Sequence, residues 1–235
     1  YQNCPAHTPL VMYFGGKEIV PLETTCTSLG ILLGKTCSFK EQRQKVCKTV
    51  KILSGLMSHS FEGISLDHLH KYYQAFIMPN LIYCCQLWQG GEEAQLEKIE
   101  KALEKFWELG PTKKPPESVV PVRLLFVLID LNYTKKIKDG KTSLDFNKIF
   151  KISDEESLRE NVNEKIPAQT IKLEISRYKF SNRASKYWNL IPLEIRKMNY
   201  FSFKNEAKKY VLENSEWFLN IGNRNKQRPK DLPII

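Results

Sequence analysis

The stretch KTCSFKEQRQKVCKTVKILSGLM, residues 35–57, is where the chain changes period. Phe39, Val46, Val50, Leu53 and Met57 recur at helical spacing and define one apolar face. Lys40, Lys48 and Lys51 project from roughly the opposite side. Between 35 and 51, five lysines and Arg43 stand against Glu41 alone, a net charge of +5. Such a helix must cover its apolar face and leaves a cationic one for solvent or for a polyanion.

Upstream the pattern is that of strands. LVMYF, the Gly15-Gly16 pair, KEIVPLE and TSLGILLG carry alternating or apolar residues punctuated by Gly and Pro, which predicts two or three short antiparallel strands within 10–33. Downstream, Ser65 caps a predicted helix through LDHLHKYYQAFIM to Pro79, where the path is expected to kink or restart as NLIYCCQLW. In EEAQLEKIEKALEKFWELG, Leu96, Ile99, Leu103 and Phe106 form one stripe, with Gly110 as the stop. This helix is net acidic and reads as a poor phosphate contact. PTKKPPESVVP, 111–121, has four prolines and predicts a stiff, extended connector at a subdomain boundary. VRLLFVLIDLNYTKKIK follows as a buried helix with a basic end, 138–167 as a loose insertion, and FSFKNEAKKYVLENSEWFL as an amphipathic helix. The fold class is therefore mainly α, with a small N-terminal antiparallel β-hairpin or three-stranded element. The expected divisions are 1–34, 35–110, 111–169 and 170–235.

The 235 residues carry 36 Lys and Arg against 26 Asp and Glu, a net +10 that makes nucleic acid the first partner to consider. No apolar stretch reaches the roughly 18 residues of a membrane span, so none is expected. Six cysteines without paired spacing, Cys84 beside Cys85 among them, read as reduced thiols of an intracellular protein, nuclear or cytoplasmic. Opening on Tyr1 without Met suggests a piece of something longer or a processed chain.

Catalytic signatures are sparse. Two-metal chemistry needs carboxylates held close together, and Asp67, Asp130, Asp139, Asp145, Asp154 and Asp231 include no Asp-Asp or Asp-x-Asp. His68 and His70 point about 200° apart on a helix, which disfavours joint ligation, so no metal or cofactor is expected. Cys47, between Lys45 and Lys48, is the one thiol with local positive charge, and burial is its expected state. GILLGKT, 30–36, has three residues between its glycines where a phosphate loop requires four. What remains is charge interleaved with aromatics. From Lys172 to Tyr210 the net charge is +7, with Tyr178, Phe180, Tyr187, Trp188, Tyr200, Phe201, Phe203 and Tyr210 in the same segment. Cations paired with phosphates and rings stacked on bases hold single strands, whereas rings in the core do not. Arg177, Lys179, Arg183 and Lys186 are the residues packing explains least.

Taken in order, NCPAHTPLVMYF, TSLGILLGKTCSFKEQRQKV, YYQAFIMPNLIYCCQLW, QLEKIEKALEKF, RASKYWNLIPLEIRK and FSFKNEAKKY resemble the C-terminal part of a non-LTR (LINE-type) retrotransposon reverse transcriptase. The opening resembles the end of the palm, with Asn3 and Thr8 in place and His7 where the family has lysine. Ser28, Leu29 and Gly30 resemble the hairpin that grips the primer end. The helices to Leu109 resemble the thumb, with Tyr73, Pro79, Tyr83 and Trp88 at matching places. Trp188, Asn189, Leu190, Pro192, Ile195, Arg196, Phe203 and Lys204 resemble the domain beyond it; 111–169 is not covered.

The resemblance implies a thumb-like bundle that holds an RNA template and DNA primer, or an RNA–DNA duplex, through phosphates. The catalytic aspartates would lie upstream, in a polymerase domain of the same polyprotein that would itself be a partner, and the chain alone would not be an enzyme. Lys40, Arg43, Lys48, Lys51, Arg177, Lys179, Arg183, Lys186, Arg196 and Lys197 are the expected nucleic-acid contacts. Within YWNLIPLEIRK, Trp188 is expected in the core, Asn189 as the cap of the helix that Pro192 enters, and Arg196 and Lys197 outside. A second reading is a domesticated remnant that binds protein, with the acidic LEKIEKALEKF stripe as its docking face.

Overall fold

The computed structural model describes residues 12–14, 17–19, 25–34, 39–60, 63–91, 93–152, 165–167 and 179–220. The protein is mainly helical. Its described strands form two separate antiparallel hairpins, β1 (Met12–Phe14) with β2 (Lys17–Ile19) and β3 (Thr25–Ser28) with β4 (Ile31–Gly34), and these four make no single sheet. Leu29 and Gly30 close the second hairpin with φ of 48° and 79°. That is the left-handed pair a two-residue hairpin turn demands, comfortable for Gly30 and strained for Leu29.

Helix α1 (Lys40–Ser60) buries Val46, Val50 and Met57, with Phe39 and Leu53 packed against the same core. Helix α2 (Leu66–Tyr72) starts under Ser65, whose Oγ accepts from the His68 amide at 3.3 Å. It runs through a π-helical turn, Tyr73–Ile77, into α3 (Met78–Ile82). The α-helical path restarts at Pro79 as expected, the proline sitting in the first turn of α3 directly after the wider turn. A full break follows, where Tyr83 is extended and Cys84 is left-handed at φ 47°, ahead of α4 (Cys85–Trp88). Helix α5 (Glu93–Trp107) packs along α1.

The connector is not extended: Lys113 N donates to Gly110 O and Val119 N to Pro116 O, folding it into successive turns. Helix α6 (Val122–Lys138) is apolar nearly all round because it serves two cores. Val122 and Phe126 join the first, with Phe126 edge-on to Trp88 at 5.5 Å, while Leu124, Val127, Leu128 and Leu131 join the second.

The second core is completed by α7 (Phe146–Phe150), α8 (Phe180–Leu190), α9 (Leu193–Lys197), α10 (Tyr200–Glu213) and α11 (Ser215–Leu219). Trp188 and Phe203 are fully buried there, 5.5 Å apart. Part of the expected loose insertion is packed as well, since Phe150 and Ile166 are fully buried. Asn189 does not cap a helix. It lies inside α8, and its amide accepts from Ile166 N at 2.9 Å and donates to Ile166 O at 2.8 Å, pinning the returning segment as a strand neighbour would. Pro192 itself holds the cap position of α9.

Candidate nucleic-acid interface

Helix α1 meets α5 through Cys47, whose Sγ donates to Lys98 O at 3.4 Å. Along this seam lies a groove of about 260 Å³ lined by Gln44, Cys47, Lys48, Lys51, Gln95 and Lys98, with Arg43 also in its wall. Lys48, Lys51 and Lys98 are exposed, and none of the three is matched to a carboxylate among the described residues. Lys40 lies on the same flank of α1 by helical spacing and is exposed.

The net acidity of α5 hides a sorting of its charge. With Ile99, Ala102 and Phe106 buried, helical spacing puts Lys98 and Lys105 on one flank and Glu100 and Glu104 on the other. The glutamates line a separate groove of about 520 Å³ with Lys113 and Lys114 of the connector. Glu100 is held there by a two-pronged bridge to Arg123, with both nitrogens at 2.7 Å. Lys98 of the lysine flank lines the groove with Lys48 and Lys51 of α1, so two helices of opposite net charge both contribute cations to it.

The second hairpin stands next to this groove and is fixed in place. Lys45 Nζ donates to Gly30 O at 2.8 Å, the Tyr83 hydroxyl to Leu29 O at 2.7 Å, and the Leu32 amide to Gln42 Oε1 at 3.0 Å. Ser28, Leu29 and Gly30 all face solvent, and Leu29 is 87% exposed. An apolar residue is thus held out at a strained turn by three bonds to the helical body.

Three expected contacts are interior instead. Arg43 is 3% exposed, and its Nη1 donates to Trp88 O at 2.9 Å and Gly90 O at 2.7 Å. Its guanidinium lies against Gly91, where φ is 150° and an added Cβ would fall 2.6 Å from it. Arg43 therefore ties α1 to the end of α4, a role for a planar cation whose bonds go to carbonyls. Arg196 is likewise buried, at 4% exposure.

Arg183 donates from Nε to Asp130 Oδ2 at 3.2 Å and from Nη2 to Gln86 O at 3.0 Å. Asp130 is fully buried in α6, and burial pushes its carboxyl up to about 6 while Arg183 and the Gln89 amide oppose the shift. Arg183 is the cation that lets α6 carry a carboxylate between two cores. Nearby, burial pushes the Cys85 thiol up to about 12, which removes it from nucleophilic chemistry at neutral pH.

Lys179, Lys186 and Lys197 are exposed on the second core, on other elements than the α1–α5 groove. Arg177, Asn3, His7 and Thr8 lie outside the described residues. His68 and His70 turn to Ser65 Oγ and Gln74 Nε2, at 3.0 and 3.1 Å. No cluster of three or more metal-ligating side chains occurs among the described residues, and no helix there is long and apolar enough to cross a membrane.

Sequence reasoning missed Lys98, because net charge averages over a helix's faces, and the interior role of Arg183. A signal for the second was present: one carboxylate inside VRLLFVLIDLNY must find a cation when that helix is buried. No family model matches the chain, and no curated protein or solved structure is detectably similar to it.

Proposed function

We propose that this chain is a nucleic-acid-holding module, the thumb and following region of a non-LTR-type reverse transcriptase, which grips a template–primer duplex through its phosphates. The observation that carries this reading is the convergence of Lys48, Lys51 and Lys98 on one groove without carboxylate partners among the described residues. Three unmatched ammonium groups along a helix pair form a track for a sugar-phosphate backbone, which positions a duplex without reading its bases. The exposed Leu29 turn, anchored beside that track, suits contact with a strand end, as the primer-grip resemblance implies. Nucleotide addition is assigned to carboxylates upstream of the chain, and the chain alone is proposed to have no polymerase activity.

The protein-docking alternative keeps only an acidic surface: of the apolar members of LEKIEKALEKF, Ile99, Ala102, Leu103 and Phe106 are buried in the first core and Leu96 packs against it, and Glu100 is bridged to Arg123, which leaves Glu97 and Glu104 exposed.

Titration of an RNA–DNA hybrid at increasing salt tests the reading. Three phosphate contacts give a log–log slope of about −3 and roughly a 40-fold loss of affinity between 50 and 200 mM salt. Binding that is independent of salt, or absent at low salt, refutes it.

A further inference from the structure

Most rings of the basic 172–210 segment are spent on the second core. Trp188 and Phe203 are fully buried, and Tyr187 and Tyr210 pack on Phe218 at 6.4 and 6.3 Å. Phe201 is the most exposed of the segment's described rings, at 76%.

Its position is fixed by backbone chemistry. Asn199 Oδ1 caps α10 by accepting from the Phe201 and Ser202 amides at 3.1 and 3.0 Å, which sets Phe201 in the first turn with its ring outward. Tyr200 stands 5.7 Å away at an interplanar angle of 72° and forms the base of the patch. Two ammonium groups, Lys136 near the end of α6 and Lys141 just beyond it, flank this pair. Lys141 Nζ lies 4.7 Å from the Tyr200 ring centre and 5.6 Å from that of Phe201, and Lys136 Nζ lies 5.5 Å from Tyr200. Neither lysine meets a carboxylate among the described residues, Asp139 being taken by Lys135 at 3.0 Å. Lys204, one turn further along α10, is exposed as well.

We infer that Phe201 is a stacking platform for one unpaired base of a single-stranded nucleic acid, with the adjoining phosphates held by Lys141 and Lys136. The ring contacts hold the two cations beside the platform, so little side-chain freedom is lost when a phosphate arrives. An exposed ring with one ammonium group over it and a second over the neighbouring Tyr200 matches a nucleotide's base and phosphate together. One exposed ring is too little surface for a protein helix and well suited to a base. This inference rests on the nucleic-acid reading above and adds a second, single-strand site on the other core.

The test compares the full chain with its Phe201→Ala, Phe201→Trp and Lys141→Gln variants. Each is titrated with a single-stranded oligonucleotide carrying an internal 2-aminopurine and with a blunt RNA–DNA hybrid, and thermal melting confirms that the exposed substitutions leave the fold intact. Phe201→Ala is expected to weaken single-strand binding about five- to a hundred-fold and abolish quenching of the fluorescent base. Phe201→Trp is expected to retain both, and hybrid binding is expected to stay within twofold throughout. Lys141→Gln is expected to lower the single-strand salt slope by about 0.7. Hybrid binding without single-strand binding, or single-strand affinity unchanged in Phe201→Ala, overturns this inference and leaves the duplex reading standing. Binding of neither probe overturns both.

Discussion

Asp130→Ala is expected to cost about 3–5 kcal/mol of folding stability, the loss typical when one partner of a buried ion pair is removed. A domain of this kind holds only about 5–15 kcal/mol in total, so the variant should sit near the edge of folding at 37 °C. Arg183, its side chain only 11% exposed, then lacks the carboxylate that balances it, on the helix contact that joins α8 to the two-faced α6. The joint substitution of Asp130→Leu with Arg183→Met is expected to recover most of the loss, because an apolar pair of similar volume carries no desolvation cost. Urea unfolding of the single and double variants measures this. A double variant as unstable as the alanine variant would show that the pair is not what α6 depends on.

The same group predicts a pH trend. Asp130 takes up its proton at about 6 in the folded chain, against an ordinary value of 3.8, so between those values the folded state binds more protons than the unfolded. Stability contributed by this site therefore rises as pH falls from about 6 towards 4 and declines as pH rises. Asp130→Asn removes the titration, so the wild-type advantage over that variant should grow on acidification.

The second large effect concerns binding. Replacing Lys48, Lys51 and Lys98 together with glutamine removes the three cations of the α1–α5 groove, and all three are exposed, so packing is preserved. With about 0.9 in log affinity per tenfold salt for each phosphate neutralised, the triple variant should bind an RNA–DNA hybrid about a hundred-fold more weakly at physiological salt. Its salt slope should be shallower by about 3. Lys98 is the informative member, because it comes from the helix whose composition argues against binding. If Lys48→Gln and Lys51→Gln account for the whole effect, the groove is not the contact surface and α1 acts alone.

The helices were legible wherever an apolar stripe had to be covered. Val46, Val50 and Met57, and Ile99, Leu103 and Phe106, mark buried faces that the 3.6-residue period reveals directly. Capping by Ser65 was legible for the same reason, as it involves neighbours in sequence. Long-range partnerships were not. Arg43 binds carbonyls 45 and 47 residues away, Arg183 a carboxylate 53 residues away, and Asn189 a backbone 23 residues before it. An arginine on a basic helix reads as a phosphate contact until packing turns it inward, and local spacing carries no information about which will turn. The connector misled for a related reason, since proline stiffens a segment without preventing turns between the prolines.

The measurement that bears most directly on the central claim is lysine-reactive footprinting, with and without an RNA–DNA hybrid, read residue by residue by mass spectrometry. The α1–α5 groove predicts that Lys48, Lys51 and Lys98 are protected together, while Lys148, with its side chain 85% exposed on the second core, and Lys71, paired to Asp67 on α2, keep their reactivity. Protection spread evenly over all surface lysines, or reactivity of Lys98 unchanged by the hybrid, would contradict the account.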